Sequence, residues 1–215
     1  MPEIFDVYDD NDEWIGTAER GEAHAQGLWH RTVHCWLVRK TEQENGAATA
    51  NVLFQQRAAG KDTNPGRFDI TAAGHLAAGE TPEAVVRELE EELGLRVEFE
   101  RLAELGVVTE CLSGTVGGKP FVDKERSRVF GLVVTRPLAD FRLQEEEVAG
   151  LYEADADELI ALMEGRREHV RARGVVIREG KLQAAEAVVA CSSFVERDLG
   201  YYVAAFKFLR ALALR

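Results

Sequence analysis

The chain has 215 residues and a formal net charge of −12 at pH 7, from 26 Lys and Arg against 38 Asp and Glu. A balance this acidic repels a phosphate backbone, and no basic stripe interleaved with aromatics offsets it, so nucleic acid is not the expected partner. Hydrophobic residues make up 46% without a long apolar run, which describes a globular chain able to bury one full core but not to span a membrane.

The opening MPEIFDVYDDNDEW is acidic and lacks the basic start and apolar stretch of an export signal, so the expectation is cytoplasmic. Cys35, Cys111 and Cys191 are an odd number with no CxxC spacing, and are read as reduced packing residues. An acidic protein that binds a polyanionic small molecule needs cations between the two, and divalent metal held by carboxylates is the usual arrangement.

In chain order, Ile4–Tyr8, an acidic turn at Asp9–Asp12 and a return at Trp14–Ile15 read as a hairpin. Thr32–Arg39 alternates between two faces as a strand, and the polar stretch Thr41–Thr49 reads as a loop before a strand at Asn51–Gln56. The run AGKDTNPGRFD that follows, with Lys, Pro and Gly between apolar segments, reads as a shaped loop beside a site.

Thr81-Pro82 marks a helix start, with Thr able to cap free amides and Pro forfeiting a donor that had no partner. The helix is expected to run to Leu93 and stop at Gly94, docked by an apolar stripe of Val85, Leu89 and Leu93. On another face Glu88, Glu91 and Glu92 stand at i, i+3, i+4, which crowds three carboxylates. They form either a divalent-metal site or a solvated acidic face.

The run from Gly74 to Leu95, GHLAAGETPEAVVRELEEELGL, resembles a Nudix box, with its REUxEExGU half complete at Arg87 to Leu95. The resemblance implies an α/β/α sandwich with a mixed sheet, in which the helix glutamates Glu88, Glu91 and Glu92 hold Mg²⁺ or Mn²⁺ against a diphosphate. Six residues separate Glu80 from Arg87 where the family has seven, so Glu80 is given a supporting role only. Arg87, at i, i+4 from Glu91, is read as an ion-pair partner that orients the glutamates.

The likeness continues to the branch resembling isopentenyl-diphosphate isomerase, over about residues 4 to 160. It is carried by FDVYDDNDEWIGTAERGEAH, GLWHRTVHCWLV, KDTNPGRFDITAAGH and DKERSRVF. It implies a second metal site near His24, His30, His75, Asp123 and Glu125. The isomerase also needs a cysteine directly before the GH of the box, for proton transfer to an allylic carbon. Here that residue is Ala73, which can neither give nor take a proton. Hydrolysis of a diphosphate bond in a nucleoside diphosphate-type small molecule is therefore the expected reaction. An isomerase-like enzyme and a catalytically silent ligand-binding domain are the alternatives. Glu125 is read as metal ligand or general base, or else as a salt-bridge partner of Arg126 or Arg128.

Lys61, Arg67 and Lys119 are candidates to meet phosphates, and Trp29, Phe68 and Phe121 to stack on a base or cover an apolar group. The EEE run at residues 145–147 reads as a solvated turn or as another metal-facing loop, before a late strand and a last core helix within Gln144–Leu162. Residues 1–165 are expected to form the Nudix domain with its N-terminal hairpin. Residues 166–215 are expected to form an extension with a hairpin around Glu179-Gly180 and a helix near Tyr201–Leu212. The stripe Tyr202, Phe206, Leu209 and Ala213 is expected to be buried on the core or against a second subunit, which makes a homodimer possible.

Overall fold

The computed structural model describes residues 3–42, 46, 48–116 and 118–215, without the side chains of Val116, Lys119 and Pro120. The loop expected at Thr41–Thr49 therefore falls partly outside the described residues, as does the Lys119 side chain.

The elements run β1 (Ile4–Tyr8), β2 (Trp14–Glu19), α1 (Arg20–Gln26), β3 (Trp29–Glu42), β4 (Ala48–Arg57), β5 (Phe68–Asp69), β6 (Ala72–His75) and α2 (Val85–Leu93). They continue with β7 (Ala103–Val116), β8 (Lys119–Val134), β9 (Val148–Asp155), α3 (Ala156–Met163), β10 (Val170–Arg178), β11 (Lys181–Val189) and α4 (Leu199–Ala213). The eleven described strands join in one mixed sheet whose main path is β11-β10-β9-β4-β3-β1-β2. Its pairs are antiparallel except β3 with β8, which run parallel from Trp29–Lys124 to Arg39–Val134.

Helices cover both faces. On one, Val85, Leu89 and Leu93 of α2 are fully buried against Val33, Cys35, Leu37 and Leu53. Burying three such side chains is worth roughly 1.5–3 kcal/mol each, far above the few tenths of a kcal/mol by which like-charged glutamates oppose the helix. Packing therefore decides that α2 forms where it does. On the other face α3 and α4 bury Leu159, Tyr202, Phe206, Leu209 and Ala213 against Trp36, Val52, Phe54 and Val129. This gives the α/β/α arrangement that the box implied.

The start of α2 differs from the expectation in detail. Thr81 makes no capping hydrogen bond, and Pro82–Ala84 form a 3₁₀ turn before the nine-residue helix. A 3₁₀ turn advances about 2.0 Å per residue against 1.5 Å in an α-helix, so it spans more distance with fewer residues. The shortened box still lets Glu80 reach Arg87, at 3.1 Å. Gly94 ends the helix at φ 62°, and Glu179 and Gly180 turn the β10–β11 hairpin at φ 53° and 69°. The α1 helix was not legible in advance: it has seven residues and no strong cap, and its value to the fold is to bury Ala23 and carry His24.

Candidate active site

Two groups of titratable side chains meet at β6, because successive residues of a strand face opposite ways. Gly74 admits the first group. A Cβ there would lie 2.2 Å from Cδ of Glu88, so only glycine lets the helix carboxylate stand against the strand. Glu88 and Glu92 are buried, whereas the Glu91 side chain is 52% exposed and points outward. Burial and the neighbouring Glu88 carboxylate push the Glu92 carboxyl well above its usual range, and burial pushes Glu88 up as well. The Gln55 amide donates to Glu92 at 3.1 Å. Arg87 ties the group from outside, with Nη1 at 2.9 Å from Glu88 and 3.1 Å from Glu91.

Glu147, from the EEE run, adds to the negative potential at Glu92 and pairs with Lys61. The run is thus a turn whose first two glutamates are exposed and whose third faces the helix group. Lys61 stands where expected, beside the glutamates, with its ammonium engaged by Glu147. Arg67 donates to the Ser192 carbonyl. Phe68 is turned into the core against Phe54, Tyr152 and Phe194 and offers no face to a ligand. Trp29 donates to Asp10 and lies under the Arg126 guanidinium, 4.5 Å from the ring centroid. A groove of about 790 Å³ runs along the outer side of α2, lined by Arg87, Glu91, Arg96, Arg101 and Arg142 among others.

His75, next to Gly74, enters the second group. His24 from α1, His30 from β3, His75 from β6 and Asp123 from β8 each place one donor atom within 4.8 Å of the others. Among the described residues the three helix glutamates make no such tight group, since Glu91 points away. Nε2 of His30 lies 3.3 Å from Asp123 and 4.0 Å from Glu125, and Nε2 of His75 lies 3.5 Å from Glu125. Phe5 stacks on His30 and His75 with centroids 5.0 and 4.7 Å away, which fixes both rings.

Burial alone would raise the Glu125 carboxyl, but the His75 imidazole beside it, with His34 and His30 nearby, holds it well below the carboxylate range. The alternative salt bridges of Glu125 are not made, since Arg126 turns to Asp12 and the 9–10 backbone and Arg128 turns to Glu104.

The donor set fits a divalent cation on an independent observation. Nε2 of His24, His30 and His75 and Oδ1 of Asp123 are all buried without a hydrogen-bond partner, and they face one another. His30 contacts the Leu28 carbonyl through Nδ1 at 3.0 Å, and since a carbonyl only accepts, Nδ1 carries a proton and the neutral ring would present its Nε2 lone pair to a cation.

Several buried polar residues here carry no local sequence signal. Glu110 stands directly across β7–β8 from Glu125. Arg197, from the segment before α4, pairs with Glu110 and with Asp69, each at 3.3 Å. Ala73 lies opposite His34 in the β3–β6 ladder.

The chain matches the NUDIX domain family over residues 28–187. It is 33% identical over 201 residues to an uncharacterized Nudix hydrolase of Clostridium acetobutylicum, covering 93% of each chain. It is 37% identical over 150 residues to an isopentenyl-diphosphate Delta-isomerase of Streptomyces coelicolor, covering 68% of each. A crystal structure of a Deinococcus radiodurans protein shares the fold with a TM-score of 0.53 at 19% identity, covering 76% of this chain and 90% of that one. With the box on α2, the sandwich around it and these relatives, the chain belongs to the Nudix hydrolase family, in a branch that resembles isopentenyl-diphosphate isomerase.

Proposed function

We propose that this Nudix hydrolase is divalent-metal-dependent and cleaves the diphosphate bond of a small, nucleoside diphosphate-type molecule. The observation that carries the reading is the pair Glu88 and Glu92, buried side by side with both carboxyls displaced toward the protonated form. Two crowded carboxylates in a dry setting are stable as anions only against a cation, and oxygen donors of this kind suit Mg²⁺ or Mn²⁺. Glu88 and Glu92 would hold that ion, Glu91 joining them by turning in from its outward position, and His24, His30, His75, Asp123 and Glu125 a second. Bound there, a divalent ion supplies neutralisation of the diphosphate and a lowered pKa for water.

The chain's own residues do the rest. Arg87 keeps Glu88 and Glu91 in one orientation. Glu125, held ionised beside His75, is an anionic oxygen donor at a fixed place, suited to a metal ligand. Lys61, beside Glu147, and Arg101 and Arg142 on the α2 groove offer cationic partners to a polyanion.

A second reading, an isomerase-like reaction, is favoured by the convergence of the histidine group and opposed by the methyl group of Ala73. The test is turnover across a panel of diphosphate metabolites that includes isopentenyl diphosphate, with Mg²⁺ or Mn²⁺ and with Glu92→Gln as control. Metal-dependent hydrolysis lost in the variant supports the proposal. Interconversion of isopentenyl and dimethylallyl diphosphates would replace it with the isomerase, and ligand binding without turnover would replace it with the silent domain.

A further inference from the structure

The segment Arg197 to Tyr201 enters the site from the C-terminal side, and neither residue belongs to the box or to the histidine group. Tyr201 is buried, and its hydroxyl lies 2.9 Å from Nε1 of Trp36 and 3.0 Å from Nδ1 of His34. An indole nitrogen can only donate, so the Tyr201 oxygen accepts from Trp36. Its own proton then needs an acceptor, and among the described residues only His34 Nδ1 is bonded to it. Arg197, the cation beside it, has no lone pair to offer.

The outcome is a neutral His34 protonated on Nε2. His34 sits fully inside the protein, in a group where one of its nitrogens and one oxygen each of Glu110 and Glu125 lie within 4.8 Å of one another. The same three residues could be mistaken for a metal site. The cation there is instead Arg197, whose side chain is 10% exposed and whose Nε lies 3.3 Å from Glu110. Through Nη1 it reaches Asp69 at 3.3 Å, and Asp69 in turn contributes to the potential at Glu92. Arg197 therefore stands between the two groups that meet at β6.

We infer that Tyr201 and Arg197 are positioning residues of the hydrolytic site: Tyr201 sets the His34 tautomer that presents an N–H to Glu125 and Glu110, and Arg197 clamps Glu110 and Asp69. The role given to Glu125 rests on the proposed hydrolysis, but the hydrogen-bond direction does not.

The deciding measurement is the ¹⁵N–¹H long-range correlation spectrum of the histidine rings in the full-length protein with chelator present, with His34 assigned through His34→Gln. Wild type is expected to show His34 as the neutral Nε2–H tautomer, and Tyr201→Phe, which keeps the ring, to lose that single form. A neutral Nδ1–H tautomer in wild type, or an unchanged spectrum in Tyr201→Phe, overturns the inference.

Kinetics on a substrate that the diphosphate panel identifies supply the second arm. Tyr201→Phe is expected to lower kcat about 10-fold with KM within about twofold, the usual size of a lost outer hydrogen bond. Arg197→Lys should retain part of the activity that Arg197→Met loses, because a single charge can hold one of the two carboxylates. Full kcat in Tyr201→Phe while Glu92→Gln is inactive would remove the positioning role and leave the hydrolase standing. Inactive wild type would remove the hydrolase reading, and the tautomer would still decide the hydrogen-bond direction.

Discussion

The helix glutamates and the histidine group touch the same strand and are electrostatic opposites. Around Glu88 and Glu92 burial and mutual repulsion displace both carboxyls upward, with Arg87, Lys61 and Gln55 as partial relief at the margins. Around Glu125 the adjacent imidazoles, His75 first, outweigh the same burial and hold the carboxylate ionised. The first region carries more negative than positive charge, and the second holds four buried donor atoms without a partner. A cation at the glutamates relieves mutual repulsion, whereas one at the histidines supplies the partner that four buried donor atoms lack.

The largest expected effect follows from that deficit. Glu92→Gln should lower kcat by about 10²–10³-fold, the scale of losing one preorganised charge interaction. Its metal-free stability should move the other way. A carboxyl whose folded pKa is raised binds more protons folded than unfolded between its ordinary and raised values, so it costs stability as pH rises through that window. The amide removes this cost, and the variant should melt higher than wild type at neutral pH in chelator, by about 2–4 °C for each kcal/mol recovered. Equal melting temperatures with and without Mg²⁺ in wild type would break the comparison at its root.

Acid stability sharpens the other side. Burial, then the Arg197 charge, lowers the His34 pKa from 6.5 to about 4. The unfolded chain takes up a proton near 6.5 that the folded chain refuses, so stability is lost as pH falls from about 6.5 toward 4, by up to about 1.4 kcal/mol per pH unit. In chelator, His34→Gln should flatten that slope in urea unfolding across this window. A slope as steep as wild type would place the acid sensitivity on other groups.

The boundary between the two regions is tested next. Gly74→Ala puts a methyl group 2.2 Å from the Glu88 carboxyl carbon, so either β6 or α2 has to shift. A loss of about 1–3 kcal/mol is expected in unfolding, as for other overpacked sites, together with reduced turnover. Gly118, with no atom within 4 Å of such a methyl, meets no clash but sits at φ 79°. Gly60, which meets neither obstacle, is the better control, and its alanine variant should unfold like wild type.

The two regions also differ in how far the sequence reveals them. Glu88, Glu91 and Glu92 sit within one helical turn, and Val85, Leu89 and Leu93 announce which face they leave free. Local periodicity carries that much. The hairpin at Glu179-Gly180 and the strand character of β3 and β4 follow from patterning in the same way, whereas the parallel pairing of β3 with β8 does not. The histidine group joins α1, β3, β6 and β8, and only resemblance to a family pointed to it. Glu110 and Arg197 had no signal at all, because pairing Glu110 with Glu125 depends on the register of β7 against β8, and bringing Arg197 there depends on how α4 packs. Long-range register and docking are tertiary outcomes that no window along the chain contains. Phe68 shows the converse: its aromatic ring suited a ligand on composition, and the β4–β5 pairing turned it into the core.

The smallest stability effect belongs to Arg87, and it separates holding a site together from holding the fold together. Its side chain is 40% exposed while it touches Glu80, Glu88 and Glu91 at 2.9 to 3.1 Å. Solvent screens pairs of this kind, so Arg87→Met should change unfolding free energy by less than about 1 kcal/mol. Turnover should fall more than that figure suggests, by about 10-fold or more, because the guanidinium is what keeps Glu91 directed along the helix face. Titrating Mn²⁺ by electron paramagnetic resonance provides the check, with weaker binding at the glutamates and unchanged binding at the histidines as the expected split. Equal weakening at both would mean that Arg87 acts through β6 on the whole region, and the electrostatic contrast between the two groups would no longer account for their behaviour.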